Sequence, residues 1–557
     1  MEGSNRLDNL DGQRLDLIVI GGGVIGSGIA SDAANRGLRV ALFEKEDYAC
    51  GTSSRSTRLI HGGLRYLEMF DFGLVRQDLK EREMLLRNAP HLVKPLPFMV
   101  PMYSKSLFYR LKMRVGMVLY DVLSYDKTLR NHRFYSKKQT LEMEPNLKEK
   151  GLQGSFIYYD AQVPYTERLV IENIISAEIN GALCFNHVKV LKAVKEGNSV
   201  TGVLVRDELT GVEHKIKARL VVNVTGPWLD PVDEAMVEAP SHRVRKTKGI
   251  HFTATNVTTN AMVLFAESDN RLFFVIPWLG YAWVGTTDTD FKDELESVRA
   301  DREDVEYLVA SVKQVFPKAD WDKIFFTNAG VRSLVMKETS QGVSESAVSR
   351  KHAIVDFEKK QGLKNYLSVV GGKLTAYRGI AEEATDAALK KLGLKCEGQT
   401  SSTKLPGAQF EGSFEQFILT MAEEGTTIGL SVAQVKYLST LYGSRITEIF
   451  EIVRSNPAQA QALHSAYPDV RAQVKHAIER EQCLTLCDFM MRRCGLYFSK
   501  DQGQQAIEAA SRDMALLLGW DEARRQSEIK AYLTEVGWTQ EWKEKPAPRA
   551  ESLAGIR

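Results

Sequence analysis

The chain has 557 residues and a mass of 62.5 kDa, which exceeds what one hydrophobic core usually serves and predicts two or three domains. Hydrophobic residues make up 44% and charged residues 26%, as in ordinary globular proteins, and a formal net charge of +2 gives no reason to expect a nucleic-acid partner. Six cysteines argue against a disulfide framework and favour a reducing compartment, and we expect neither a secretory signal nor a membrane-spanning segment.

The first predicted elements form a strand–turn–helix–strand unit. A short β-branched run at 15–20 is typical of a buried strand and leads directly into glycines. Small residues at 27–36 indicate a helix that ends at Gly37, and a second apolar strand covers 39–43. The unit therefore places the glycine-rich turn, 21–26, between a buried strand and a helix.

This turn fits the Gly-x-Gly-x-x-Gly fingerprint of dinucleotide sites. Gly21 allows the tight turn, Gly23 lets the backbone approach a pyrophosphate, and Gly26 lets the helix pack closely on the strand. Glu44 ends the second strand, where its carboxylate can accept hydrogen bonds from ribose hydroxyls. The alternative is a glycine-rich turn that binds no ligand. The preceding strand, the following helix and the well-placed acid make that alternative a minor one.

Three further features favour FAD over NAD as the dinucleotide. The loop at 50–56 is dense in small hydrogen-bond donors suited to an extended cofactor. A buried strand at 219–224 runs into Gly226, and a late Gly371-Gly372 turn would let the backbone approach a flavin ring. The chain has no second fingerprint after a strand, so we expect no NAD site.

The remaining elements indicate a second sheet and a helical region. A hairpin is predicted at 202–217, and aromatic-rich alternation at 271–285 predicts two antiparallel strands. Another buried strand covers 366–370, and helical periodicity prevails from 413 to 532. We predict an α/β and α+β fold: a Rossmann-like FAD-binding domain with an inserted antiparallel-sheet substrate domain, followed by a C-terminal all-α domain.

These elements predict six segments along the chain. They are FAD-binding segments at 14–105, 151–240 and 327–398, a helical excursion at 106–150, a substrate or cap sheet at 241–326, and the C-terminal helical domain at 405–545.

One predicted helix, 107–123, has an apolar and a basic face. The apolar face holds Phe108, Leu111, Val115, Val118, Leu119 and Val122, and the polar residues around it are Lys105, Arg110, Lys112, Arg114 and Asp121. Such a pattern suits a helix lying in a membrane interface, although packing on the protein's own core is the commoner cause.

A late cluster of cysteines contains residue types that can bind a metal ion. Cys483 and Cys487 would share a helix face, with Cys494 and His476 nearby, but the spacing matches no standard zinc pattern. Buried cysteines acting as small apolar residues are commoner, so we expect no metal.

Several longer motifs resemble a known family. They are Leu59–Glu68 (LIHGGLRYLE), Lys248–His251 (KGIH), Gly285–Asp288 (GTTD), Ala329–Arg332 (AGVR) and Gly371–Thr375 (GGKLT). The chain resembles the FAD-dependent glycerol-3-phosphate dehydrogenases, within the D-amino-acid-oxidase-like flavoproteins, over nearly its whole length. The resemblance implies oxidation of sn-glycerol 3-phosphate to dihydroxyacetone phosphate in glycerol use, with electrons passing through FAD to a membrane quinone. It also implies a cytoplasmic protein held peripherally on the inner face of the cell membrane.

With this motif context, four residues are predicted to carry the chemistry. Arg332 is the first choice for the substrate phosphate, Arg65 is a second contact, and Lys373 is expected to reach both flavin and substrate. His251 is the predicted base, because a histidine titrates near neutral pH, and His61 is its main rival. Each residue also has a purely structural alternative: a surface salt bridge for Arg332, a turn cap for Arg65, a solvated side chain for Lys373 and a structural histidine for His251.

The wider predicted site is as follows. The substrate residues are Arg65, Tyr66, His251, Thr287, Arg332 and Lys373, where Thr287 and Asp288 orient a base or close a turn. The cofactor residues are Gly21, Gly23, Val24, Ile25, Gly26, Glu44, Lys45, Thr52, Ser53, Ser54, His61, Gly62, Gly63, Leu64, Gly226, Gly371, Gly372, Leu374 and Thr375.

Three alternative functions stay open from the sequence. One is an oxidase of the same substrate that reduces oxygen to hydrogen peroxide, and another is an oxidase or dehydrogenase of an amino acid. The third, of a different class, is a non-enzymatic flavin-binding module. A homodimer is the one assembly that we include among the expected partners.

Overall fold

A computed structural model describes residues 6–10, 12–103, 106–336 and 351–544. In this part of the chain, two large sheets lie beside a mainly helical C-terminal region, as the predicted fold class requires. No described helix is both long enough and apolar enough to cross a membrane.

The strands have the following bounds: β1 (Arg14–Ile20), β2 (Val40–Phe43), β3 (Leu59–Ile60), β4 (Lys94–Met102), β5 (Arg133–Ser136), β6 (Gly154–Gln162), β7 (Leu183–Phe185), β8 (Val188–Glu196), β9 (Ser199–Asp207) and β10 (Glu213–Asn223). They continue with β11 (Val244–Thr255), β12 (Ala261–Phe265), β13 (Leu272–Trp278), β14 (Tyr281–Gly285), β15 (Thr289–Asp290), β16 (Phe326–Val335), β17 (Ala353–Asp356), β18 (Tyr366–Val370), β19 (Ala462–His464) and β20 (Tyr467–Val470).

The helices are α1 (Val24–Asn35), α2 (Phe72–Asn88), α3 (Leu107–Leu123), α4 (Lys137–Met143), α5 (Thr166–Ile179), α6 (Leu229–Val237), α7 (Arg302–Val315) and α8 (Phe357–Gln361). They continue with α9 (Tyr377–Leu392), α10 (Phe414–Thr427), α11 (Val432–Tyr442), α12 (Ile446–Ser455), α13 (Ala472–Arg480), α14 (Leu486–Asp488), α15 (Ile507–Leu518) and α16 (Glu522–Trp538).

The first sheet has a parallel centre, in the order β17-β18-β10-β1-β2-β7, and β9 and β8 extend it from β10. β1 lies between β10 and β2 and runs parallel to both. Its apolar side chains are buried on both faces, and helices α1, α5 and α9 cover one of those faces. The carboxyl ends of the parallel strands therefore meet at one edge, where such folds bind their ligands.

The second sheet is almost wholly antiparallel, in the order β15-β11-β14-β13-β12-β4-β6-β3, with β16 on β11 and β5 on β6. In the described chain, β12 with β4 is its one parallel pair. The sheet also recruits 59–60, 94–102, 133–136, 154–162 and 327–335, which lie outside the predicted 241–326 cap segment. Strand pairing joins segments by edge and register, so the sheets do not follow the predicted segment boundaries.

The C-terminal region docks through buried ion pairs. Arg168 on α5 donates two hydrogen bonds, of 2.6 and 2.8 Å, to the carboxylate of Glu481. Asp47, in the loop after β2, accepts hydrogen bonds of 2.5 Å from Arg492 and 2.8 Å from Arg493, and its side chain is fully buried. A short β19–β20 hairpin interrupts the helices.

Some local predictions were wrong. The first helix begins at Val24, because the turn itself supplies its first residues. Cys483 and Cys487 share no helix face, since Cys483 precedes α14. Cys483 and Cys494 are buried and donate to backbone carbonyls, and all six cysteines are free thiols. Lys105 lies outside the described residues.

Replacing Asp47 with alanine should strongly destabilise the protein, because it takes the shared carboxylate from Arg492 and Arg493. Breaking a buried ion pair costs about 3–5 kcal/mol. Urea denaturation followed by circular dichroism should show a lower midpoint. The control is Glu424→Gln, which breaks an exposed pair with Arg454 and should cost about 0–1 kcal/mol. Similar midpoints for the two variants would contradict the importance of Asp47.

Candidate functional site

The glycine turn brings a strand and a helix together more closely than any side chain would permit. Gly21 has φ of +110°, which favours glycine. A Cβ atom at Gly26 would lie 1.9 Å from the carbonyl oxygen of Gly21, so α1 packs on β1 only without a side chain there. The roles predicted for Gly21 and Gly26 in shaping the turn are consistent with this geometry.

The loop after β2 closes around this turn. Glu44 is buried, and its carboxylate accepts hydrogen bonds from the backbone N–H groups of Gly22 (2.7 Å) and Glu46 (3.0 Å). Burial raises the pKa of Glu44, although these two bonds oppose the shift. Ser53 Oγ accepts a hydrogen bond of 2.9 Å from the Val24 N–H. Oε1 of Glu44 also faces the Cys50 thiol at 3.9 Å, so Oε2 is the oxygen that keeps a lone pair for a ribose hydroxyl.

A cavity of about 470 Å³ runs along the carboxyl edge of the first sheet. The predicted residues that line it are Gly21, Gly23, Val24, Ile25, Glu44, Lys45, Thr52, Ser53, Gly226, Gly371, Gly372, Lys373 and Leu374. Its wall combines an acid, a helix N-terminus and positive-φ glycines at Gly226, Gly371 and Gly372, where no side chain intrudes. This donor set and shape fit an extended dinucleotide such as FAD.

Other lining residues were missed in the sequence. They include Val188, Lys189, Val190, Leu191, Trp228, Glu296 and Ser333, whereas Cys50, Gly51 and Ser56, which also line the cavity, belong to the predicted loop at 50–56. Residues 188–191 start an ordinary strand, and Glu296 lies in a short 3-10 turn, Leu295–Ser297, so neither carries a nucleotide motif. Trp228 lies two residues after Gly226, which follows the buried strand at 219–224. This position was the one sequence signal that could have placed Trp228 at the cavity.

Several predicted cofactor residues lie away from the wall of this cavity: Gly26, Ser54, His61, Gly62, Gly63, Leu64 and Thr375. The hydroxyl of Thr375 bonds both the N–H and the carbonyl of His61, at 3.1 and 3.3 Å. The Gly62 N–H donates to the hydroxyl of Tyr120 at 3.0 Å. These contacts give the segment a local structural role, and its contact with cofactor stays a prediction.

Arg332 is held by the turn after β14. Its guanidinium donates to the Asp288 carboxylate at 2.8 Å, the Thr286 hydroxyl at 2.8 Å and the Thr287 carbonyl at 3.0 Å. The side chain is 18% exposed. The sequence named a salt bridge as the alternative to phosphate binding. The structure contains this salt bridge, which also fixes the direction of the guanidinium.

Lys373 is likewise held by an acid. Its ammonium lies 2.6 Å from the buried Asp78 carboxylate and 3.8 Å from the centre of the Tyr66 ring. Burial raises the pKa of Asp78 to about 6, against the opposing effect of Lys373. The interpretation of Lys373 as a solvated lysine was therefore wrong, and the residue forms part of the cavity wall.

His251 lies on β11, next to β16, which carries Arg332. Its ring is 2% exposed and stacks on Trp283 with centroids 4.8 Å apart. Nε2 lies 3.0 Å from the Thr57 hydroxyl, and Nδ1 has no hydrogen-bond partner among the described residues. Burial, together with the charges of Arg332 and Arg58, holds the pKa of His251 well below its usual range. The imidazole is thus neutral and can accept a proton.

Two other predicted substrate residues are less informative. The side chain of Arg65 lies outside the described residues, and its backbone belongs to a 3-10 turn, Leu64–Leu67. Thr287 is buried, and its hydroxyl accepts a hydrogen bond of 3.1 Å from the Ile250 N–H. This contact favours the turn-closing interpretation of Thr287.

Comparison with known proteins agrees with this geometry. Residues 16–386 match the family described as FAD dependent oxidoreductase, and residues 398–525 match the C-terminal domain of alpha-glycerophosphate oxidase. A glycerol-3-phosphate dehydrogenase of Synechocystis is 37% identical over 93% of this chain and 95% of its own. The aerobic glycerol-3-phosphate dehydrogenase of Bacillus subtilis is 35% identical over 94% of each.

Solved structures show the same similarity. The glycerol-3-phosphate dehydrogenase of Bacillus halodurans, complexed with FAD, is 28% identical, with a TM-score of 0.81, over 97% of this chain and 98% of its own. The FAD-bound L-alpha-glycerophosphate oxidase of Mycoplasma pneumoniae, at 19% identity, shares the fold over 71% of this chain and 99% of its own, with a TM-score of 0.53. The chain is an enzyme with FAD as its cofactor, and it belongs to the FAD-dependent glycerol-3-phosphate dehydrogenase family.

Proposed function

We propose that this enzyme oxidises sn-glycerol 3-phosphate to dihydroxyacetone phosphate and passes the electrons to a membrane quinone. The placement of His251 and Arg332 on the paired strands β11 and β16 carries the proposal. It joins a neutral proton acceptor to a fixed cation, the two functions that oxidation of a phosphorylated alcohol requires. The names of the relatives support the same substrate.

Each residue has a defined task in this proposal. Bound FAD supplies the hydride acceptor. Arg332, oriented by Asp288, holds the phosphate dianion, and Lys373, beside Asp78, adds positive charge at the flavin end of the cavity. The imidazole of His251 takes the hydroxyl proton as hydride leaves the carbon atom that bears that hydroxyl. The stacked Trp283 keeps the imidazole in one plane.

A second cavity supports a route for electrons to an acceptor outside the cofactor site. It has a volume of about 450 Å³, shares Lys373 with the cofactor cavity and is walled by Gly73 and Leu74 of α2. Helix α2, which lines this cavity, also packs against α3. Oxygen is the alternative acceptor, and the match to an oxidase C-terminal domain favours that alternative.

Helix α3 supplies the proposed membrane face. Five apolar side chains at helical spacing remain exposed along it: Phe108 (78%), Leu111 (60%), Val115 (58%), Val118 (51%) and Val122 (60%). The predicted alternative, that this face packs on the protein's own core, was wrong for these five residues, while Met117 and Tyr120 of the same helix do pack inward. An exposed apolar stripe flanked by arginines and lysine suits a lipid surface with anionic headgroups.

Anaerobic addition of sn-glycerol 3-phosphate should bleach the flavin of the purified yellow protein. Arg332→Ala should raise the substrate concentration needed by about ten- to a hundredfold, since a hydrogen bond to a charged group contributes about 1.5–3 kcal/mol. His251→Ala should slow bleaching about a hundredfold or more through loss of the base. A flavin that stays oxidised in the wild-type protein would refute the proposal.

The same preparation separates the two acceptors. Peroxide formed per turnover should be small in the presence of a soluble quinone. Stoichiometric peroxide that quinone does not suppress would identify an oxidase instead.

The pH dependence of flavin reduction should reflect the environment of His251. Because burial and two arginines lower its pKa, the neutral base persists below pH of about 6.5, the usual histidine value, and the rate should fall only at lower pH. Arg332→Gln removes one positive charge, so this acid limb should move to higher pH at saturating substrate. Arg206→Gln, which removes an exposed charge paired with Glu208, should leave the limb in place. A wild-type limb at or above pH 6.5 would contradict the assignment.

Charge on the α3 face should weaken binding to vesicles of anionic lipid. Leu111→Glu with Val118→Glu places two carboxylates on a surface that would otherwise enter the interface, so cosedimentation should fall strongly. Leu419→Glu is the matched control, because Leu419 is 61% exposed, as Leu111 is 60%, but lies on α10. Equal binding by the wild type and the double variant would exclude α3 as the membrane contact.

A further inference from the structure

Three residues from distant parts of the chain meet at one wall of the FAD cavity. Lys45 follows β2, Trp228 lies in the 3-10 turn Gly226–Trp228 after β10, and Glu296 lies in the turn Leu295–Ser297 that precedes α7. All three line the cavity, and Glu296 comes from the segment that follows the second sheet's β15. The contact therefore bridges the two sheet-bearing parts of the protein across the cofactor site.

The three side chains form a closed set of contacts. Oε1 of Glu296 accepts hydrogen bonds from Lys45 Nζ at 2.7 Å and from Trp228 Nε1 at 2.9 Å. The ammonium also lies 4.6 Å from the centre of the Trp228 ring. Burial raises the pKa of Glu296, but the two hydrogen bonds outweigh it and lower the pKa to about 2. Glu296 is therefore charged at all working pH values.

The position of these contacts defines which part of FAD they adjoin. The helix N-terminus at Val24 marks the pyrophosphate region, and the Gly371-Gly372 turn marks the flavin end. Glu44 precedes Lys45 directly and is the residue suited to the ribose. The three contacts thus lie beside Glu44, at the adenosine end of the cavity.

We propose that Glu296, Lys45 and Trp228 form a clasp that retains the adenosine end of FAD and slows its release. The ammonium of Lys45 contacts Glu296 across the cavity wall, and the contact of Lys45 with the cofactor stays a prediction. In this proposal, both hydrogen bonds must open before the adenosine end of FAD leaves the cavity. Since Lys45 and Glu296 are partly exposed, with 29% and 58% of their side-chain surface accessible, salt screens their attraction.

The test measures FAD release from holoenzyme after dilution, by the rise in flavin fluorescence. Glu296→Gln removes the charge, so release should be about threefold faster than in the wild type. Glu296→Ala removes both acceptor contacts as well, so release should be about tenfold faster. Raising the salt concentration from about 0.05 to about 0.5 M should speed release from the wild type more than from Glu296→Gln.

Glu294→Gln is the matched control, because Glu294 is an exposed carboxylate two residues away that is absent from the cavity wall. It should release FAD at the wild-type rate. Circular dichroism of the apoproteins separates lost retention from misfolding, and Trp228→Phe, which deletes only one donor, serves if a Glu296 variant does not fold. Release from Glu296→Gln, or from Trp228→Phe in that case, at the rate of Glu294→Gln would overturn the clasp.

Discussion

The buried carboxylate of Asp47 determines how the major parts of this protein fit together. It lies between two guanidinium groups, of Arg492 and Arg493, that belong to the C-terminal region. The same loop carries Glu44, which reaches the glycine turn, and Ser53, which bonds the first N–H of α1. A buried carboxylate is stable only when it is paired with positive charge, so Asp47 must stay in contact with the two arginines. This contact fixes the loop after β2 relative to the C-terminal region. The C-terminal region thereby stabilises a cofactor site to which it contributes no lining residue among those described.

The side chains proposed to be catalytic depend on a second constraint, the pairing of β11 with β16. This antiparallel register sets Thr247 opposite Arg332 and His251 opposite Asn328, so the proposed base and the proposed phosphate-binding cation keep a fixed separation along the sheet. Thr52 of the cofactor loop donates a hydrogen bond of 2.6 Å to the Val331 carbonyl of β16. This bond joins the loop after β2 to the second sheet at the residue next to Arg332.

Local sequence patterns predicted much of this arrangement. The glycine turn, Glu44 and the helix 107–123 followed from spacing and periodicity, because these depend on neighbours in the chain. The partners of charged residues did not follow: Lys45 meets Glu296, Arg332 meets Asp288, and Asp47 meets Arg493 through tertiary folding alone. For Cys483 the local pattern was misleading. The spacing to Cys487 suggested one helix, but Cys483 lies between α13 and α14. Family motifs predicted Arg332 and Lys373 as site residues, but only the structure shows that Asp288 and Asp78 are their acidic partners.

The parallel pairing of β1 with β10 also bears on how the chain is made. Arg14 pairs with Lys217, so one edge of the central strand waits for a partner that emerges from the ribosome about 200 residues later, or roughly 10–40 s at usual rates of synthesis. Its run of buried apolar side chains is exposed meanwhile, a condition that favours wrong pairing with other chains. Asp47 waits longer still, until Arg493 has been added. Chains truncated before residue 217 therefore lack the partner of this edge and should be poorly soluble.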